Sequence, residues 1–258
     1  PKEFCEEFKR LHNQVAQQPF VQMESVLNSH FGKSLDEVFK SFDREPLAAA
    51  SIAQVYKAVL LDGTPVVVKV QRPGIEPIIM EDLGVLFGLA DLLETYVPET
   101  KVYNPSAIVN EFAKALELET NFVVEANNIR KFTENFADEP NIVIPQVYNE
   151  LSGKKVLVME ELQGIPLSGK SALQQEGINP EEVLKVGLNA YLKMVFKYGL
   201  FHGDLHAGNM FVLPNNKIGL IDFGVVGRLN RRVQDSIANM LIALAQEDYD
   251  RLAYEYVD

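Results

Sequence analysis

The sequence predicts an α+β fold of two lobes, a small β-rich lobe with inserted helices followed by a larger helical lobe. Three observations predict it. A Val-rich pair of segments, 52–61 and 65–71, is separated by Asp62-Gly63, a hairpin turn signal. Strand-like composition returns at 142–148 and 155–162, after a long stretch of helical periodicity. Beyond residue 179 helical pattern predominates, interrupted by one short hairpin around Asn215-Asn216.

Residues 3–43 read as helical, with a capping box from Ser34 to Glu37 opening a helix through Phe42. Arg72-Pro73-Gly74 ends the first hairpin, and a helix follows over 78–95. Its apolar face is broad, but Glu81, Asp82 and Asp91 interrupt it, and it is shorter than the ~20 residues a membrane span needs. It reads as a helix packed on its own domain, with a face that docks on a membrane or partner as the alternative. Asn104-Pro105 starts the next helix, Asn as cap and Pro at the first helical position. This helix runs, with a break, to about Asn135. Another extends from Asn179-Pro180 to Lys197, strands follow at 210–213 and 217–221, and 231–257 is helical. The expected organisation is a helical extension over 1–45, a small lobe over 46–162 and a large lobe over 163–258, with the break near 160–164.

The 258 residues suit one large domain or two closely packed lobes, with ordinary globular composition. Acidic residues outnumber basic ones 36 to 24, and no run of Lys or Arg forms a basic patch, which excludes nucleic acid as the expected partner. A single cysteine, Cys5, excludes an internal disulfide and a Cys-based zinc site and favours a reducing compartment. The chain opens at Pro1 without a signal segment and is expected to be a fragment or a processed product.

The chemistry concentrates in His202-Gly203-Asp204-Leu205-His206-Ala207-Gly208-Asn209, followed by Asp222-Phe223-Gly224. Phosphoryl transfer asks a protein mainly for positioning and charge neutralisation: a carboxylate to receive or orient the attacking hydroxyl, and oxygen ligands to hold Mg²⁺ against phosphates. Asp204 and Asn209 have the D-x-x-x-x-N spacing of a kinase catalytic loop, and Asp222 stands as the metal-binding Asp of a DFG turn. The short hairpin between them is expected to bring Asp222 back beside Asn209. Upstream, Val66-Val67-Val68-Lys69 resembles V-A-I-K, whose Lys binds the α- and β-phosphates. Ala48, Ala50, Ala53 and Val55 occupy the positions of the glycines and valine in G-x-G-x-x-G-x-V, with Ser51 between them. Alanine in place of glycine predicts a stiffer loop, one that winds into a short helix. Lys69 needs a carboxylate partner; Glu125 is the first choice and Glu119 the reserve. Met159, Glu160 and Leu162 read as the hinge whose backbone meets adenine. The lobes and motifs together predict a bilobal protein-kinase-like fold binding ATP and Mg²⁺.

These residues together resemble the UbiB/ADCK family of atypical kinases, over about residues 42–227. The most specific part is Pro46-Leu47-Ala48-Ala49-Ala50-Ser51-Ile52-Ala53-Gln54-Val55, an Ala-rich loop that this family carries in place of the Gly-rich one. Val67 to Gly74 and Glu125-Ala126-Asn127-Asn128 are also similar to its pattern. The resemblance implies a kinase-like fold, ATP binding, ATPase or lipid-linked kinase activity, and a role near isoprenoid-quinone metabolism. A lipid-like small molecule or a membrane surface is then the expected partner, in the cytoplasm or at a membrane periphery. Two features depart from the family. Its regulatory E-x-D motif stands here as Glu119-Thr120-Asn121, and its K-x-G-Q string is absent. Two other readings stay open: a small-molecule kinase of aminoglycoside or choline type, which shares the string at 202–209, and a non-catalytic nucleotide-gated module. Peptide substrates are disfavoured, because residues 225–230 lead almost directly into helix with no Ala-Pro-Glu platform.

Overall fold

The computed structural model describes residues 17–169 and 171–257; Cys5 and the expected helix over residues 3–16 lie outside them. In chain order the elements are α1 (Phe20–Phe31), β1 (Phe39–Phe42), β2 (Ala48–Ala49), β3 (Ala53–Leu60), β4 (Pro65–Gln71), α2 (Ile75–Tyr96), α3 (Pro105–Glu119) and α4 (Phe122–Asn135). Then come β5 (Ile142–Val143), β6 (Val156–Glu160), β7 (Ile165–Pro166), α5 (Pro180–Leu192), β8 (Leu200–His202), β9 (Met210–Leu213), β10 (Lys217–Leu220), β11 (Val226–Arg228), α6 (Arg231–Ala245) and α7 (Tyr249–Val257). The chain clusters into two compact units, 1–127 with 146–161 and 128–145 with 162–258, and the division falls inside α4.

The first unit is built on an antiparallel sheet of order β1-β3-β4-β6, with β2 also paired to β3. The β3–β4 hairpin turns where Asp62-Gly63 stands: Gly63 has φ 92°, and the Asp62 side chain accepts the Thr64 N–H at 2.9 Å. Side chains alternate across a sheet, so one face collects Tyr56, Ala58 and Leu60, Val66, Val68 and Val70, and Val156 and Val158, all buried. Met23 and Leu27 of α1 close this core. Tyr56 lies fully inside it, where burial pushes its phenol pKa up, and Gln54 Nε2 donates to its hydroxyl at 2.6 Å. The other face carries Val67, Lys69 and Gln71 of β4, with Val55 and Leu157 directly opposite Lys69 on the flanking strands.

The helix expected through Phe42 is instead one 3₁₀ turn, Leu35–Glu37, followed by β1. The capping box is present: the Ser34 N–H and hydroxyl both donate to Glu37 Oε1, at 3.1 and 2.8 Å. Phe39 and Phe42 have helical spacing, but a bulge between Phe39 and Ser41 turns both rings to the same side. There they meet each other at 5.4 Å, while Phe42 meets Tyr56 at 5.5 Å and Phe39 meets Phe31 at 5.6 Å. Aromatic packing has overridden the local period.

Asn104 caps α3 by accepting the Ala107 N–H, and Pro105 fills its first position. The start of α2 is tied down where Lys154 donates to Glu76 at 2.7 Å, a bond that holds the Glu76 carboxyl below its usual range. Otherwise α2 buries only Leu83 and Ala90 and leaves Ile78, Met80, Val85, Leu89, Leu92 and Tyr96 more than half exposed. Among the described residues, no helix is long and apolar enough to cross a membrane.

In the second unit a sheet of order β5-β10-β9-β7 joins a separate pair, β8–β11. The strand expected over 142–148 shrinks to two residues, since Pro145 has no N–H to extend a ladder. The two segments still meet antiparallel at one end, where Tyr148 N–H bonds the Val158 carbonyl and Glu160 N–H the Gln146 carbonyl, while β5 runs parallel to β10 and β6 lies against β4 in the first unit. Asn215 and Asn216 both take positive φ, 62° and 58°, as a tight hairpin turn requires, and β9 and β10 flank them. β7, β8 and β11 were not expected, being too short to show a period. Phe132 of α4 meets Phe223 at 4.8 Å, and Ile129, Ile218 and Leu220 are buried in the same unit.

Leu27→Ala should cost about 2–5 kcal/mol in urea unfolding, because its fully buried side chain closes the first core. Val21→Ala on the same helix, 76% exposed, should stay within about 0.5 kcal/mol.

Candidate active site

In the first unit Lys69 and Glu125 meet. Both are buried, and Lys69 Nζ lies 3.0 and 2.9 Å from the two carboxylate oxygens. The pairing follows from alternation: Lys69 is on the sheet face away from the α1 core, and Glu125 sits in the first turn of α4. Beneath the ammonium, the buried Phe122 ring lies 5.4 Å from Nζ, a cation–π contact. Glu119 ends α3, half-buried, and Asn121 starts α4 by accepting the Val123 N–H at 3.2 Å. Phe122 carried no signal in the sequence beyond its place three residues before Glu125.

The Ala-rich loop is not the short helix that alanine content predicts. Ala48 and Ala49 pair with Val55 and Gln54, and Ala50 N–H bonds the Ala53 carbonyl at 2.8 Å, so the segment is a tight antiparallel hairpin. Backbone pairing to β3 outweighs the helical preference of alanine. No residue from 48 to 55 has positive φ, so nothing in this conformation demands glycine. Ala48, Ala50 and Ser51 are exposed, Val55 is half-buried, and Ala53 is fully buried opposite Gln71. Met159 is buried opposite Val67, on the Lys69 face, while the Glu160 carboxylate turns to accept the Gln146 N–H.

The second unit holds the other candidates. The β9–β10 ladder continues one step past Met210 and Leu220, through Ile221 N–H to the Asn209 carbonyl at 3.0 Å. Asp222 therefore follows immediately beside Asn209. Asn209 is buried, with Nδ2 donating to the Asp204 carbonyl at 3.0 Å, which fixes the span from 204 to 209 as a closed loop. Asp204 is exposed; its Oδ2 lies 3.7 Å from His206 Nε2, and His206 Nδ1 accepts the Gly208 N–H. Asp222 has φ 56°, uncommon outside glycine, and its Oδ1 accepts the Gly224 N–H at 3.3 Å. Such a backbone persists only where its surroundings hold it. Two residues that the sequence analysis gave no supporting role do so here. Buried His202 accepts the Asp204 N–H on Nδ1 and contacts the Ile221 carbonyl through Nε2, and Asn128 Nδ2 donates to the Phe223 carbonyl at 2.9 Å. Leu162 packs against Gly219, where any Cβ would stand 2.6 Å from it.

The donor set suits a hard cation. Asn209, its amide nitrogen committed, presents Oδ1 as its acceptor, and Asp222 supplies a carboxylate. Among the described residues no three His, Cys, Asp or Glu cluster as a metal cage. Two oxygen ligands completed by phosphates and water are what Mg²⁺ commonly takes.

Glu125→Leu alone should cost about 3–5 kcal/mol, because it takes from a buried ammonium the carboxylate that contacts it with both oxygens. Lys69→Met combined with Glu125→Leu should recover most of that loss in urea unfolding. A double variant no more stable than Glu125→Leu would mean that the two charges are not dependent on each other.

Comparison with known proteins identifies the family. The ABC1 atypical kinase-like domain matches residues 10–256. The probable protein kinase UbiB of Marinobacter nauticus is 36% identical over 261 residues, taking in 100% of this chain and 48% of its own length. The chloroplastic protein Activity of BC1 complex kinase 1 of Arabidopsis thaliana is 37% identical over 233 residues, covering 90% of this chain and 34% of itself. The chain thus spans about half, or less, of these curated relatives. The solved complex of Rv3197 with erythromycin from Mycobacterium tuberculosis matches 99% of this chain and 64% of its own, at 28% identity and a TM-score of 0.72. The chain belongs to the family of ABC1 atypical kinase-like domains, and its fold is protein-kinase-like.

Proposed function

We propose that this chain is the Mg-ATP-binding part of an atypical kinase or ATPase acting on, or in support of, a lipid-like or prenylated small molecule of isoprenoid-quinone metabolism. The buried Lys69–Glu125 pair carries the reading. Two charges kept nearly dry need a reason, and setting an ammonium against nucleotide phosphates supplies one. Lys69 neutralises phosphate charge, Val55 lies directly opposite it and Met159 diagonally across on the same sheet face, and the backbone at Glu160 and Leu162 meets adenine. Asn209 and Asp222 hold Mg²⁺, which when bound offsets the charge of the phosphates. Asp204, exposed at the closing end of its loop, takes the proton of the acceptor hydroxyl as that oxygen takes the γ-phosphoryl group and ADP leaves. With water as acceptor the same step is ATP hydrolysis. Glu119 and Asn121 stand in the family's regulatory motif, and the sheet edge at Ala48, Ala50, Ser51 and Ala53 lies over the nucleotide.

A nucleotide-gated module without turnover is the second reading, favoured by alanine at all three glycine positions. It expects nucleotide-dependent stabilisation with no phosphoryl transfer to any acceptor.

Mg-ATP should raise the melting temperature, and Asp222→Asn should remove the Mg²⁺-dependent part of that rise. An unchanged Mg²⁺ response in Asp222→Asn rules out the metal assignment. Asp204→Asn should keep the nucleotide response while slowing hydrolysis or transfer to prenylated phenols about 10²-fold or more. Equal turnover by parent and variant would make Asp204 a structural residue.

A further inference from the structure

Glu125 reaches Lys69 because α4 starts in a fixed place, and that start is fastened from the sheet. Only Thr120 and Asn121 separate the end of α3 from the beginning of α4. The Thr120 hydroxyl closes α3 by donating to the Leu116 and Glu117 carbonyls, and Asn121 caps α4. Two further bonds attach this elbow to the sheet. The Phe122 N–H donates to the Lys154 carbonyl at 3.0 Å, just before β6. Gln71 Nε2 donates to the Thr120 carbonyl at 2.8 Å.

Gln71 is the only side-chain partner in that pair of attachments. It follows Lys69 by two residues on β4, hence on the same face, and is 1% exposed. Its own N–H bonds the Lys155 carbonyl at 2.9 Å, so its backbone is held as firmly as its amide. The residue opposite on β3 is Ala53, fully buried, while the elbow lies on the β6 side, where Phe122 bonds Lys154. A buried amide in a run of valines is costly unless both its ends are used.

We propose that Gln71 is a positioning residue for the Lys69–Glu125 pair: its amide clamps the α3–α4 elbow at Thr120 and so fixes where Glu125 meets Lys69. The contact at Phe122 sets the height of the first turn, and the Gln71 clamp sets its pivot. With the clamp gone, the elbow loses its side-chain attachment to β4 and the carboxylate shifts from the ammonium. The clamp itself is a statement about the pair; only its effect on nucleotide rests on the function proposed above.

The test replaces Gln71 with Met, which keeps length and volume but cannot donate. Lys69 acylation by a water-soluble amine-reactive ester is then read by mass spectrometry. Losing the carboxylate lowers an ammonium's pKa, and one unit raises the reactive fraction about tenfold. Gln71→Met should raise Lys69 labelling towards the level of Glu125→Gln, with no further rise when the two are combined. Labelling at the parent level beside a lowered melting temperature would overturn the proposal and leave Gln71 an ordinary structural residue. Gln71→Asn, one methylene too short to reach Thr120, carries the same expectation if the Met variant does not fold. Calorimetric titration with Mg-ATP adds the second arm. Affinity should weaken about tenfold in Gln71→Met and be unaffected by that change in a Glu125→Gln background; additive losses would also overturn the clamp. If the parent binds no Mg-ATP, the proposed function fails, while the labelling result still decides the role of Gln71.

Discussion

An ammonium and a carboxylate that share a nearly dry interior constrain everything around them. Lys69 and Glu125 each lose most of their hydration, and only close, two-point contact offsets that loss. The contact demands that β4 present residue 69 on the face away from the α1 core, which the alternation of Val66, Val68 and Val70 ensures. It demands equally that α4 begin where its first turn faces the sheet. The short elbow at Thr120-Asn121, the Phe122 ring under the ammonium and the bonds from Lys154 and Gln71 all serve that second demand. A one-residue slip of β4 would exchange its two faces and bury a lysine among valines.

The second unit solves a different problem with a hairpin. Asn209 and Asp222 are thirteen residues apart, yet the β9–β10 ladder sets them side by side, because Pro214 and the paired asparagines at 215 and 216 turn the chain within three residues. Asp222 then leaves the ladder with positive φ, and that uncommon backbone is held by His202 before it and Asn128 after it. Loop 204–209 is closed from within through the Asn209 amide, and the Ser168 N–H bonds its Ala207 carbonyl from outside.

Much of this was legible because the carriers were local. Asp62-Gly63, Asn104-Pro105, Asn179-Pro180 and Asn215-Asn216 each state a turn or cap in two residues, and each is found where it was read. Motif spacing pointed to Lys69, Asp204, Asn209 and Asp222, and α4 was the right place to look for a carboxylate. What could not be read depended on distant partners. Phe39 and Phe42 imitate a helix until a bulge and Tyr56 are in view. The strand over 142–148 was cut short by Pro145 and shared between two sheets. Gln71 and Asn128 bond backbone carbonyls 49 and 95 residues away, and no sequence window contains both ends.

The Ala-rich loop separates composition from conformation most clearly. Reading alanine as a damaged glycine assumes that the backbone wants the conformations only glycine reaches, and from there a helix was the natural guess. The hairpin between β2 and β3 wants none of them: every residue from 48 to 55 stays at negative φ, and the ladder satisfies the backbone groups without a ligand. Alanine is then a fitting residue rather than a compromise, and at position 53 it lies fully buried opposite Gln71. A glycine there would free the backbone and gain nothing that this turn needs. Loop and ion pair meet on one strand: β3 carries the alanine hairpin at one end and pairs along its length with β4, which presents Lys69 and Gln71.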